Sequence, residues 1–266
     1  MRIVHFLLHV PKCAGTTVEA HFRKHLGARF MIAPRWESPM RNFIGNRYPG
    51  LSPQAMADIA VVSGHSVSAN MEALFPGAEI RASVLLRDPL GHLLSFYNYR
   101  WTRYADGQGP EPPSFDDWYD AQRRNQISRF LLNRYFGQAV PALYRLSSQG
   151  RLRFLEARLA QFFYVGSYKH VGEMCAEISR ELGIPDTVES ENVTQSRKVS
   201  KEDLPSSLRE QIAHENALDQ CLYDRWKDRK WSGAPSGEAP PLAALDQLGY
   251  VLGDIATGLR KKIIQG

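Results

Sequence analysis

The sequence has little that would tie it to a membrane or an oxidising compartment. No apolar run approaches the roughly 20 residues of a bilayer span, and no basic n-region precedes the first apolar run. Neither an anchor nor a secretory leader is therefore expected, and the fold is expected to start at Met1. Cysteine is scarce: Cys13, Cys175 and Cys221 are too few and too scattered for a disulfide framework, which suits a reducing compartment and makes the cytoplasm the expected location. Without a secretory route, Asn192-Val193-Thr194 reads as an ordinary loop and not as a glycosylation site. Zinc-finger spacing, aromatic-interleaved basic modules and internal repeats are also missing, so no nucleic-acid partner is expected. Acidic residues are the minority charge, 28 against 33 Lys and Arg, and the formal net charge of +5 favours anionic ligands without naming one.

What is present suffices for one large α/β domain. Hydrophobic residues make up 43% of 266 positions, and the one marked shift in composition is the stretch 232–241, rich in Gly, Pro, Ser and Ala. Residues 1–231 are expected to form the domain, 232–241 a linker, and 242–266 an amphipathic helix. That helix carries a stripe of Leu242, Leu245, Leu248, Leu252, Ile255, Leu259 and Ile263. Docking on its own domain is the first expectation for this helix, and pairing with a second copy the next. β-branched and apolar runs predict strands at 2–9, 29–33, 59–63, 80–86 and 162–166. Helical spacing follows Gly15 and Pro89, dominates 115–159, and returns at 171–182 and 204–226. Strands alternating with helices imply a mostly parallel sheet flanked by helices, with ligands beyond the carboxyl ends of the strands. Three of the predicted strand ends carry polar groups: Lys12, His65 and Arg87.

The first strand runs into Pro11-Lys12-Cys13-Ala14-Gly15-Thr16-Thr17 and then a helix. Such a turn aims backbone N–H groups and the positive end of the helix dipole at one point, and phosphate is the usual occupant. A Walker A loop would place its lysine directly after the last glycine; here Lys12 precedes Gly15 by three residues, which weakens a reading as a triphosphate hydrolase. Cys13, at a helix start, has the position of an activated nucleophile, but substitution within the loop is the simpler account. His21 and His25 have i, i+4 spacing but lack a recognisable third ligand, so no metal is expected. Between residues 121 and 160 lie Arg123, Arg124, Arg129, Arg134, Arg145, Arg151, Arg153 and Arg158, opposed only by Glu156. A solvated helix face and a basic wall beside an anionic substrate both fit that run.

The stretch HVPKCAGTT resembles the 5′-phosphosulfate loop of the sulfotransferase superfamily, in the branch of the glycan 2-O- and 6-O-sulfotransferases and their bacterial relatives. Cys13 stands where that branch usually has threonine. VLLRDPLGHLLSFYNY resembles the family's 3′-phosphate site, with Arg87 and Ser95 at the family's separation, and VVSGHSVS resembles its strand-end Gly-His. Weaker similarity continues through NQISRFL, YVGSYKHVGEMCAEISRELGIP and DQCLYDRW, so that it covers about residues 2–230. Ser167-Tyr168-Lys169 departs from the pattern at the family's common glutamate, and no role is carried onto it.

The resemblance implies a P-loop-like sheet and 3′-phosphoadenosine 5′-phosphosulfate (PAPS) as donor, with no metal required. It implies that Lys12 stabilises the leaving oxygen, and that Ala14, Gly15, Thr16 and Thr17 hold the 5′-phosphate. Arg87 and Ser95 would select the 3′-phosphate, and Arg197 and Lys198 would close over the nucleotide, although a solvated basic loop explains the last two equally. His65 would take the proton of an acceptor hydroxyl, with Glu37 as the reserve base; taken alone, a Gly-His turn is more often structural. A carbohydrate, and one that can be anionic, is the expected acceptor. The alternatives are a P-loop nucleotide or small-molecule kinase and a catalytically silent nucleotide-binding relative.

Overall fold

Residues 2–8, RIVHFLL, form the central strand β1 (Arg2–Leu8), buried along most of its length as befits a strand covered on both faces. In the computed structural model, which describes residues 2–34, 51–136, 146–189 and 198–228, β1 lies in a five-stranded sheet of order β2-β3-β1-β4-β5. The other strands are β2 (Phe30–Ile32), β3 (Val61–Gly64), β4 (Ala78–Leu86) and β5 (Tyr164–Ser167). Every pairing is parallel. The α/β class and the parallel sheet follow the expectation from sequence, and each strand lies within about two residues of its predicted span.

The register decides what the strand ends can share. Leu8 pairs with Gly64 on one side and with Val84 on the other, so β4 continues two residues beyond β1 before reaching Arg87. Leu86 pairs with Ser167, which sets Arg87 beside Tyr168. The segments bearing Lys12, His65 and Arg87 therefore leave three adjacent strands, β1, β3 and β4, at the edge where open α/β sheets bind ligands.

Helices α1 (Gly15–Leu26) and α6 (Val171–Leu182) pack on each other, and α8 (Ala217–Trp226) packs on β5. The main core centres on the sheet and includes Phe6, Phe22, Val62, Leu86, Leu155 and Tyr164, all buried. A second, smaller core joins α2 (Pro89–Ala105), α3 (Phe115–Asp120) and α7 (Ser206–Glu215) through Leu93, Tyr97, Trp118, Leu204 and Ile212. Asp88 caps α2 by accepting from the Gly91 N–H at 2.7 Å, with Pro89 in the first turn, as predicted.

The single helix predicted over 204–226 is two. Asn216 ends α7 with φ −111° and ψ 31°, and its side-chain amide donates to the Ile212 carbonyl and the Tyr119 hydroxyl. Its Oδ1 accepts from the Asn125 N–H, just before α4 (Gln126–Phe130). Buried Asp219 accepts from the N–H groups of Ile127 and Ser128, the second and third residues of α4, at 2.9 and 2.7 Å. These bonds join distant parts of the chain, and periodicity cannot register them. A π-helical turn (Leu131–Phe136) continues α4, and α5 (Ser148–Leu159) follows later in the chain. Among the described residues no helix is long and apolar enough to cross a membrane. The predicted linker and C-terminal helix lie outside the described residues.

Candidate functional site

The loop after β1 is strained where chemistry was expected. Lys12 and Ala14 both sit at φ 64°, in the left-handed region that costs a non-glycine residue about 1–2 kcal/mol. Two side chains from beyond β4 help hold the loop in place. The Arg87 guanidinium donates to the Lys12 carbonyl at 3.0 Å, and the His92 Nε2–H donates to the Pro11 carbonyl at 2.9 Å. His92 is buried on α2, and that burial pushes its pKa down to about 4, with the hydrogen bond to Pro11 only partly opposing it. It therefore serves the loop as a neutral donor.

With its carbonyls drawn back in this way, the loop runs into α1. No side chain caps that helix and no acidic residue occupies its first turn, so its N-terminus keeps its positive character. This end of α1 opens on a cleft of about 2240 Å³ whose walls include Lys12, Ala14, Gly15, Thr16, Thr17, His65, Arg87 and Ser95. The structure thus brings eight of the ten predicted site residues into one cleft. Lys198 is not among its walls: its ammonium lies 4.8 Å from the Trp101 ring centroid, while the following residues Val199, Ser200 and Lys201 reach the cleft. Asn98 on α2 anchors that segment, accepting from the N–H groups of Lys198 and Val199 at 2.8 and 3.0 Å. Arg197 and the reserve base Glu37 lie outside the described residues.

Two of the cleft's cations rest on aromatic faces. The Lys12 ammonium lies 4.0 Å from the Tyr99 ring centroid and the Arg87 guanidinium 4.2 Å from that of Tyr168. Burial pushes Lys12 below its ordinary pKa, and the neighbouring Arg87 charge adds to the effect. The Nε of Arg87 is buried without a hydrogen-bond partner. Such an orphaned donor is uncommon in a folded protein.

His65 is exposed to the cleft, and its Nδ1 lies 2.6 Å from the His9 carbonyl. Sequence reasoning missed His9 itself. Its ring is 4.1 Å from that of His65, centroid to centroid, and its Nδ1 donates to Glu19 at 2.6 Å; the same carboxylate oxygen accepts from the Ser63 hydroxyl at 3.2 Å. Burial on its own would raise the Glu19 pKa, but the hydrogen bonds from His9 and Ser63, with the attraction of a protonated His9 ring, outweigh it and leave the carboxyl below its ordinary value. Glu19 is one turn into α1, at a spacing from the loop that carries no motif. Its role becomes visible only once β1 and β3 are placed side by side.

Gly15 shows why a glycine is needed in this loop. A Cβ there would lie 1.9 Å from His9 Cδ2 and 2.2 Å from Nε2. To give way, the ring would have to leave its bond to Glu19 and its contact with the His65 ring. Gly15→Ala is expected to lower stability by about 1–3 kcal/mol, the usual cost of overpacking. Chemical denaturation would show this as a lower midpoint at unchanged slope.

Other predicted candidates resolve into packing. Cys13 is buried, and that burial pushes its thiol well above the ordinary range, which removes the nucleophile reading. His21 Nε2 is engaged by the Ser179 hydroxyl at 2.8 Å. Among the described residues no group of three or more His, Cys, Asp or Glu is placed to hold a metal ion. The described members of the arginine run are not walls of the cleft, so the basic-wall reading finds no support there. Arg124 pairs with Glu215 at 2.6 Å over the Tyr119 ring, and Arg158 covers Phe154. No protein-family model, no curated protein and no solved structure matches the chain.

Proposed function

We propose that this chain transfers a sulfuryl group from 3′-phosphoadenosine 5′-phosphosulfate to a hydroxyl acceptor, with carbohydrate the favoured class, on a P-loop-like sheet. The observation that carries the reading is Arg87. It leaves the strand next to the loop that runs into α1, packs on Tyr168 and lines the cleft, with its Nε buried and unpaired. The guanidinium fork matches the paired oxygens of a phosphate, and a phosphate seated in the cleft beside Arg87 would use it.

Each residue then has a task. The start of α1, with Ala14, Gly15, Thr16 and Thr17, would hold the 5′-phosphate through backbone N–H groups; the Thr16 hydroxyl is exposed there, whereas Thr17 is buried. Arg87 and Ser95 would hold the 3′-phosphate. As the acceptor oxygen forms its bond to sulfur, the bond from sulfur to the bridging oxygen breaks, and adenosine 3′,5′-bisphosphate leaves with the bonding pair. Lys12 would stabilise the charge growing on that bridging oxygen. The acceptor's proton would pass to His65 Nε2. No step in this scheme calls on a metal.

Titration calorimetry with adenosine 3′,5′-bisphosphate, ADP and ATP tests the assignment. The 3′,5′-bisphosphate is expected to bind at least tenfold tighter than ADP, the 3′-phosphate being worth about one charged hydrogen bond or more. Equal affinities, or magnesium-dependent ATP turnover, would favour the kinase alternative. Tight binding of the bisphosphate with no labelled sulfate passing to any acceptor would favour the silent relative.

A further inference from the structure

We propose that His9 and Glu19 are positioning residues for His65: together they fix its ring, its tautomer and its readiness to accept a proton. The inference rests on the reading of His65 as the proton acceptor, but it stands on geometry of its own.

The carbonyl of His9 can only accept a hydrogen bond, so His65 Nδ1, 2.6 Å away, must carry the hydrogen. In the neutral ring this leaves Nε2 bare. The same residue contributes its ring, which lies 4.1 Å from that of His65 and is held between it and Gly15. Phe130 borders His65 edge-on at 6.4 Å. Glu19 keeps the His9 ring from turning through the 2.6 Å bond at Nδ1, and Ser63 steadies Glu19. One residue thus sets the His65 tautomer through its backbone and the His65 orientation through its side chain.

Desolvation and the neighbouring cations act in the same direction, against the Glu19 charge. The groups bearing on His65 are His9 at the end of β1, Glu19 on α1, and Arg134 in the turn after α4. Although His65 faces the cleft, partial desolvation by the groups around it lowers its pKa most, and the positive charge of His9, when that ring carries its proton, lowers it further. The hydrogen bond to the His9 carbonyl and the Glu19 charge oppose this, and Arg134 lowers it again. The net displacement is downward, so His65 stays neutral, with Nε2 available, to a lower pH than an isolated imidazole would.

Nitrogen-15 NMR of labelled histidines in the free protein tests this without any donor or acceptor. In the wild-type protein the neutral His65 is expected as the Nδ1–H tautomer. In His9→Phe, which keeps a flat ring between Gly15 and His65 but has no charge and no donor to Glu19, the His65 titration is expected to move to higher pH. An Nε2–H tautomer in the wild-type protein overturns the proposal, as does an unmoved His65 titration in a folded His9→Phe. The tautomer measurement needs no variant and tests the backbone half. If His9→Phe does not fold, Glu19→Gln, which weakens the hold on the His9 ring and removes a charge that bears on His65, tests the side-chain half, and an unmoved His65 titration there overturns it. A correct tautomer and a moved titration in a protein that transfers no sulfuryl group would leave this proposal standing and overturn the reaction assigned above.

Discussion

Lys12→Ala is expected to reduce transfer by about 10²–10³-fold or more, the range seen when a preorganised donor to a developing negative charge is removed, while leaving the fold almost unchanged. The separation of the two effects follows from how Lys12 is held. Its backbone sits at φ 64°, and alanine, which also has a Cβ, meets the same local cost there, so no new strain arises. The bond from Arg87 goes to the Lys12 carbonyl, which alanine keeps. What is lost from the free protein is the contact of the ammonium with Tyr99, worth about 0.5–1 kcal/mol. Because the charge on the bridging oxygen develops as the bond to sulfur breaks, the loss should fall on kcat more than on the donor KM. Single-turnover kinetics with labelled donor, beside a thermal melt, would check both halves. A folded Lys12→Ala enzyme that keeps a tenth of the wild-type rate would remove Lys12 from the chemistry.

The strands and the polar groups at their ends were legible because both are local. A run such as 80–86, followed by Arg-Asp-Pro, announces a buried strand, a cap and a helix start within one short window. The sheet order was not legible, and several site contacts depend on it. Tyr168 touches Arg87 because β5 pairs with β4, and His65 meets His9 because β3 pairs with β1. Glu19 belongs to no motif, and its place in the site comes from the fold, where the Ser63 hydroxyl on β3 and the His9 ring both donate to the same carboxylate oxygen. The arginine run left two readings open for the opposite reason: its charges are conspicuous in sequence, yet Arg124 is used to hold α3 against α7 through Tyr119 and Glu215. A charge that stands out along the chain says nothing of whether a carboxylate waits for it across the fold.

Arg87 offers the sharpest discrimination, because its two roles can be separated by choice of ligand. Arg87→Ala removes the donor proposed for the 3′-phosphate, and it also releases the Lys12 carbonyl, loosening the loop that would hold the 5′-phosphate. The second effect weakens every adenine nucleotide alike, whereas the first touches only those with a 3′-phosphate. Hydrogen bonds to charged groups are worth about 1.5–3 kcal/mol each, so affinity for adenosine 3′,5′-bisphosphate is expected to fall about 10- to 100-fold further than affinity for ADP. Arg87→Lys should recover only part of the difference, since an ammonium supplies charge without the fork and replaces the guanidinium over the Tyr168 ring. Ser95→Ala, on α2 in the same cleft, should shift the ratio in the same direction by a smaller factor. Calorimetry of the two ligands against wild type and the three variants gives the ratio directly. An Arg87→Ala protein that loses the same factor for both ligands would reduce Arg87 to a brace for the loop, and the unpaired Nε would then need another partner.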